Sequence, residues 1–206
     1  MKTGRTVKLK HKDEEIPFGP IADPAAYNCL MGTAISTGTL IGVEEYLRTV
    51  FDGADCEYLD GEIVERNMGE VQHGSIQARL VFILMGLVSK LGIQVISEIR
   101  IQINPRRYRV ADIAVWRAGN IGDRIPTVPP FLVVEILSPE DRMVRMLPKI
   151  QEYLSIGAEW IWVIDPDEGK ALIYSQAGPA GVLSDILRTE DPAIEIPVTE
   201  ALAPQT

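Results

Sequence analysis

Hydrophobic positions change period along the chain, and the changes mark out its elements. Between residues 71 and 91, Ile76, Leu80, Ile83, Leu84, Leu87 and Leu91 recur at helical spacing, and Gly92 supplies a C-terminal stop. Segments 93–103, 108–116 and 131–137 have strand lengths and composition. The first two read as a hairpin around Asn104-Pro105-Arg106-Arg107, and 117–130 as a loop bearing proline and glycine. A second helix is predicted over about 144–156, then strands at 159–164 and 170–175 joined through Asp165-Pro166-Asp167-Glu168-Gly169. Upstream, 42–51 predicts a short helix, and Asp60-Gly61 within the alternating segment 56–65 predicts a hairpin. One more strand is expected near 181–189. This order gives an α/β (α+β) fold, a mixed central sheet with helices against it. Residues 1–38 lack strong periodicity and read as a partly irregular N-terminal arm, 39–190 as the domain and 191–206 as a C-terminal tail.

Two acids break this pattern. Asp112 interrupts the apolar segment Val110 to Trp116, and Glu135 interrupts Phe131 to Leu137. An ionised carboxylate inside a strand costs several kcal/mol unless a cation compensates it. Strand alternation puts Asp112 on one face with Val110, Ala114 and Trp116, and Glu135 with Val133 and Leu137. Two such acids on neighbouring strands point to a shared partner, and a divalent metal is the candidate. On the helix after Glu135, Met146, Leu147, Ile150, Tyr153 and Leu154 form one arc, with Lys149 at its edge. From there a lysine can lay its stem along the core and present its ammonium to the sheet. Pro148 just before it suits a helix start or a kink. Two carboxylates, a metal and a lysine are a minimal kit for metal-assisted phosphodiester hydrolysis.

Five segments carry a family resemblance. They are Tyr58-Leu59-Asp60-Gly61-Glu62, Val110 to Val115, Val133-Val134-Glu135-Ile136-Leu137-Ser138-Pro139, Lys149-Ile150-Gln151-Glu152-Tyr153, and Gly157 through Trp162-Val163-Ile164-Asp165-Pro166. Their order and spacing over residues 39–176 resemble the Uma-type endonucleases of the restriction-endonuclease-like PD-(D/E)XK superfamily. The resemblance implies a sheet flanked by helices, Mg²⁺ as cofactor with Mn²⁺ as a substitute, and cleavage of nucleic acid, DNA first. It carries Asp112 and Glu135 onto the motif acids, catalytic and metal-binding, and Lys149 onto a catalytic lysine displaced to the helix. Ala111 stands where the motif has proline, and Leu137 where the sheet lysine is usual. Glu98 is implied as a further metal ligand, with Glu62 and His73 as lesser candidates. The bland alternatives for these three are strand-end solvation, hairpin surface and helix-start polarity.

Composition adjusts this picture. A formal charge of −9 weakens any case for tight non-specific binding to nucleic acid. Arg100, Arg106, Arg107 and Arg109 form a local basic patch, read either as a solvated hairpin tip or as a phosphate contact. No apolar run is expected to cross a membrane. Two cysteines, Cys29 and Cys56, fit a reducing cytoplasm. Histidine-rich metal sites, zinc-ligand spacing, a nucleophile elbow and a Walker loop are all missing from the sequence. Trp116, Trp160 and Trp162 read as core or interface residues and not as base-stacking platforms. Trp160 and Trp162 share a strand face that suits a dimer contact, and a homodimer is expected if both strands of a duplex are cut. Two other readings stay open: a catalytically weak or inactive descendant that binds nucleic acid or a protein, and a structural oligomer in which both acids pair with arginines.

Overall fold

In the computed structural model, residues 40–51, 54–66, 70–119, 121–122, 124–138 and 143–204 are described. They belong to one unit, Ile35–Thr206. The arm expected over 1–38, and with it Cys29, lies outside the described residues. The elements in chain order are α1 (Val43–Arg48), β1 (Glu57–Leu59), β2 (Glu62–Val64), α2 (Val71–Leu91), β3 (Ile93–Asn104) and β4 (Arg107–Arg117). They continue with β5 (Leu132–Ile136), α3 (Met143–Ser155), β6 (Trp160–Asp165), β7 (Lys170–Ser175), β8 (Gly178–Ser184), β9 (Ile186–Thr189), β10 (Ile194–Pro197) and α4 (Val198–Ala201).

The Asp60-Gly61 turn closes the β1–β2 hairpin with both residues at positive φ, the backbone that a two-residue hairpin of this kind requires. Gly92 ends α2 in the left-handed conformation, its N–H bonded to the Val88 carbonyl. Eight strands form the main sheet in the order β2-β1-β4-β5-β6-β7-β8, with β3 also paired to β4. Most pairings are antiparallel. The exception is β5–β6, where α3 provides the crossover that parallel neighbours need.

The sheet has an apolar layer on each face. Ile76, Leu80 and Leu84 of α2 pack with Ile113, Val115, Val134 and Trp162. Met146, Ile150 and Tyr153 of α3 pack with Ala114, Trp116, Val133 and Ile161. A third cluster, built on Tyr46, Tyr58, Ile63 and Tyr108, seats α1 beneath the β1–β2 hairpin.

Three expectations are corrected here. By length and composition α2 meets the measure of a membrane-crossing helix. Its polar residues, Gln72, His73, Gln77 and Arg79, concealed this in the sequence. Residues near 181–189 form two strands, because the chain bends at Asp185 between β8 and β9. The segment expected as a tail carries β10 and α4. There Ile194, Ile196, Val198 and Ala201 are buried in the α2-side core. Of the two readings for Trp162, core or interface, the structure takes the first: it is fully buried and its Nε1 donates to the Arg188 carbonyl at 2.9 Å.

Candidate active site

The site arises from a gap in the sheet. One edge of β4 is taken by β3 along its length, from Arg117 opposite Ile93 to Arg107 opposite Asn104. The other edge is divided. β1 pairs only at Arg107 and Tyr108, and β5 only from Ile113 to Val115. Backbone groups in the intervening stretch need other partners, and side chains supply them. Glu57 accepts from the Val110 N–H at 3.3 Å, Lys149 Nζ donates to the Val110 carbonyl at 2.9 Å, and Gln77 donates to the Asp112 carbonyl at 2.9 Å. A cleft of about 390 Å³ opens at this gap, lined among others by Glu57, Arg66, His73, Asp112, Glu135 and Lys149.

Asp112 lies one residue beyond the Ile113–Val134 pair, so the register sets it opposite Glu135. Each acid is 2% exposed. Asp112 Oδ2 accepts from the Ile136 N–H at 2.8 Å and sits 3.2 Å from His73 Nε2. Its Oδ1 pairs with Arg66, which also pairs with Glu98. Glu135 accepts from Lys149 Nζ at 2.9 Å and from the Tyr153 hydroxyl at 2.9 Å. Lys149 and Tyr153 are one helical turn apart on α3, which aims both polar heads at one carboxylate. Pro148 lies inside α3, not at its start.

Burial and neighbours oppose each other at this site. Burial pushes the Glu135 carboxyl up to about 7, against the pull of Lys149 and with help from the charge of Asp112. Burial raises Asp112 as well, but the His73 hydrogen bond and the Arg66 charge outweigh it and hold that carboxyl below its usual range. Burial alone would lower Lys149, yet Glu135 and Glu57 push it up to about 12, so it stays an ammonium at neutral pH. The Asp112 hydrogen bond raises His73 against burial. The hydroxyl of Tyr153, buried beside Glu135, is held protonated.

The structure brings Asp112, Glu135 and Lys149 together, with His73 on Asp112. Glu62 is exposed at the start of β2 and does not line the cleft. Glu98 is also outside the lining and is linked to Asp112 through Arg66. Three of the four patch arginines are committed to acids: Arg100 to Asp55, Arg107 to Asp60 and Glu152, Arg109 to Glu57 and Glu152. Arg106 donates to the Asp60 carbonyl. The phosphate-contact reading of that patch therefore finds no support in this geometry.

Leu137, at the usual lysine position, packs with Met146 in the α3-side core. Sequence reasoning missed Glu57, Arg66, Gln77 and the polar role of Tyr153. The i, i+4 spacing of Lys149 and Tyr153 was a usable signal for the last. Glu57 and Arg66 come from the hairpin region and meet the site only through tertiary pairing.

Asp112 and Glu135 suit a hard divalent ion. Mg²⁺ commonly takes one or two carboxylates and completes its shell with water and substrate phosphate. Among the described residues no group of three histidine, cysteine or acidic side chains is placed to enclose a metal, which disfavours a closed protein cage of the zinc kind. The donor set fits Mg²⁺, provided Asp112 Oδ1 exchanges Arg66 for the ion.

A sheet between helices with two opposed acids at a strand gap is the arrangement of a restriction-endonuclease-like nuclease fold. The family model Uma2, described as "Putative restriction endonuclease", matches residues 43–203, and the chain belongs to that family. Among solved structures it is similar to a "putative nuclease belonging to DUF820 from Anabaena variabilis ATCC 29413". The TM-score is 0.69 and the identity 22%, over 79% of this chain and 98% of that one. No curated protein matches the chain.

Proposed function

We propose that this protein is a Mg²⁺-dependent endonuclease that hydrolyses phosphodiester bonds of nucleic acid, with DNA as the first substrate to test. The observation that carries the reading is the convergence of two buried acids, Asp112 and Glu135, in one cleft with Lys149 on Glu135. Asp112 and Glu135 would hold the ion. When bound, Mg²⁺ supplies Lewis-acid polarisation of the phosphate and a bound water of lowered pKa. Mn²⁺ is the expected substitute.

The protein's own groups have narrower tasks. Lys149 places its ammonium on three acceptors: Val110 O at 2.9 Å, Glu135 at 2.9 Å and Glu57 at 3.1 Å. These engage all three of its donors. It is therefore a cation that fixes Glu135 and adds positive potential, and it meets a phosphate oxygen only by releasing an acceptor, the longest contact being Glu57. Tyr153 fixes the other oxygen of Glu135. His73, on Asp112 and in the cleft wall, is placed to hold a proton near the reacting phosphate.

One site cuts one strand at a time, so cleavage of both strands of a duplex favours a homodimer, and a homodimer working in the cytoplasm is part of the proposal. The test is nicking of supercoiled plasmid with Mg²⁺ or Mn²⁺, wild type against Asp112→Ala. Nicking by the wild type that is lost in the variant is expected. Equal nicking by both rejects the site.

The second reading, a weak or inactive descendant, draws on the Arg66–Asp112 pair and on Leu137. It predicts binding of nucleic acid or of a protein partner without nicking.

A further inference from the structure

Arg66 lines the cleft, and the hydrolytic scheme above gives it no task. Its side chain is 14% exposed, and its guanidinium spans two carboxylates, Nη2 on Asp112 and Nη1 on Glu98. The second anchor is built by an irregularity. In the β3–β4 register Ser97 faces Ile113 and Ile99 faces Ala111, which leaves Glu98 opposite Asp112 with no ladder pair. Glu98 has φ +51°, a left-handed backbone that is rare for a side-chain-bearing residue inside a strand. Gln77 Nε2 donates to Glu98 Oε1 at 2.7 Å and to the Asp112 carbonyl at 2.9 Å, tying the two positions together. Both oxygens of Asp112 are thereby committed: Oδ1 to Arg66, Oδ2 to the Ile136 N–H and His73.

We propose that Arg66 is an internal cation that competes with a divalent metal ion for Asp112, and that it passes to a phosphate oxygen when the ion takes its place. The inference rests on the reading of Asp112 as a metal ligand. An ion at Oδ1 competes with the guanidinium for the same oxygen, and the two cations repel each other. Once displaced, a guanidinium in a cleft is best satisfied by phosphate, whose oxygens match its planar fork. Glu98 keeps hold of the other nitrogen, so the arginine stays beside the cleft. Arg66 is in this sense a positioning residue that couples metal binding to phosphate binding.

Two titrations on the full chain test this. In the first, Mn²⁺ alone is added and free ion is followed by electron paramagnetic resonance. Arg66→Gln is expected to bind Mn²⁺ about tenfold tighter than wild type or better, the scale of one charge-assisted hydrogen bond to Asp112. Arg66→Lys, which cannot bridge both acids, is expected in between. A purely structural arginine would not raise metal affinity on removal. Equal or weaker binding by Arg66→Gln overturns the inference. If that variant does not fold by circular dichroism, Arg66→Lys takes its place, and equal or weaker binding by it overturns the inference in the same way. Asp112→Ala separates the two levels. If it binds Mn²⁺ as wild type does, or if neither wild type nor the Arg66 variants bind the ion, the metal reading itself fails. If it loses the ion while the Arg66 variants gain nothing, only the present inference fails. In the second titration, a fluorescent DNA duplex is bound in EDTA and in Ca²⁺. Wild type and Arg66→Gln should bind alike in EDTA, and wild type about tenfold tighter in Ca²⁺. A deficit of the same size in both conditions, or no difference in either, overturns the transfer to phosphate.

Discussion

Replacing Lys149 by methionine removes an ammonium while roughly preserving volume, and it strips Glu135 of its nearest cation. Lys149 is 9% exposed and Glu135 2%, so water cannot stand in for the lost partner. Removing one member of a buried ion pair costs about 3–5 kcal/mol when the other remains charged. The pH dependence follows from the direction of the shifts. Burial raises Glu135 to about 7 from an ordinary 4.5, so the folded state holds that proton more tightly than the unfolded state. Stability from this group is greatest below pH 4.5 and falls as pH rises to 7. Lys149 is raised to about 12 from 10.5, so its contribution is present below pH 10.5 and lost through 12. In Lys149→Met the lysine contribution is gone, and Glu135 without its cation holds its proton to still higher pH. The decline therefore extends past pH 7. The expected loss of stability is about 1 kcal/mol at pH 5.5, where Glu135 is neutral, and about 3–4 kcal/mol at pH 8.5. Urea unfolding at both pH values, followed by tryptophan fluorescence, measures it, since Trp116 and Trp162 are buried. Adding Glu135→Gln should make the double variant's loss smaller than the sum of the single losses. A loss below 1 kcal/mol at pH 8.5, or one that is equal at both pH values, would refute the reasoning.

Three further outcomes follow from the same geometry. Mn²⁺ binding should strengthen about tenfold between pH 6 and pH 8, because the ion must displace the proton that Glu135 holds up to about 7; calorimetry showing no change would contradict this. Tyr153→Phe leaves one oxygen of Glu135 without its hydroxyl donor and should cost about 1–3 kcal/mol by urea unfolding, without changing the apolar packing of α3. Gly61→Ala puts a Cβ on a residue at φ +110° in the β1–β2 turn; a loss of about 1 kcal/mol or more is expected in thermal melts, and no loss would question the turn.

The sequence showed the helices and the acids because both are local signals. The 3.6-residue spacing of Ile76, Leu80 and Leu84 predicted the span of α2 closely, ending at Gly92. Two carboxylates within apolar strands announced themselves by desolvation, and the β4–β5 register sets them face to face. The partners of those acids were not legible in the same way. Glu57 is held to Lys149 and Arg109 by pairings that reach from β1 to α3 and β4, and nothing in its neighbours along the chain marks it. Arg66 follows a short hairpin strand and meets Asp112 of β4 and Glu98 of β3 only through tertiary pairing. The backbone gap in β4 is a property of sheet order, which periodicity does not encode. The C-terminal strand and helix span four residues each, too short for periodicity to mark, and their Ile194, Ile196 and Val198 are buried by contact with distant elements.

The central claim is metal-dependent phosphodiester hydrolysis at the Asp112–Glu135 pair. Its most direct measurement is single-turnover cleavage of an end-labelled DNA duplex across a Mg²⁺ series, with wild type and Glu135→Gln in parallel. Cleavage by the wild type should rise with Mg²⁺ and stop with EDTA. Glu135→Gln should be slower by about a hundredfold or more, the scale on which a metal-bound hydrolytic centre loses activity with a ligand. Cleavage that persists in EDTA, or that Glu135→Gln carries out at the wild-type rate, would contradict the account.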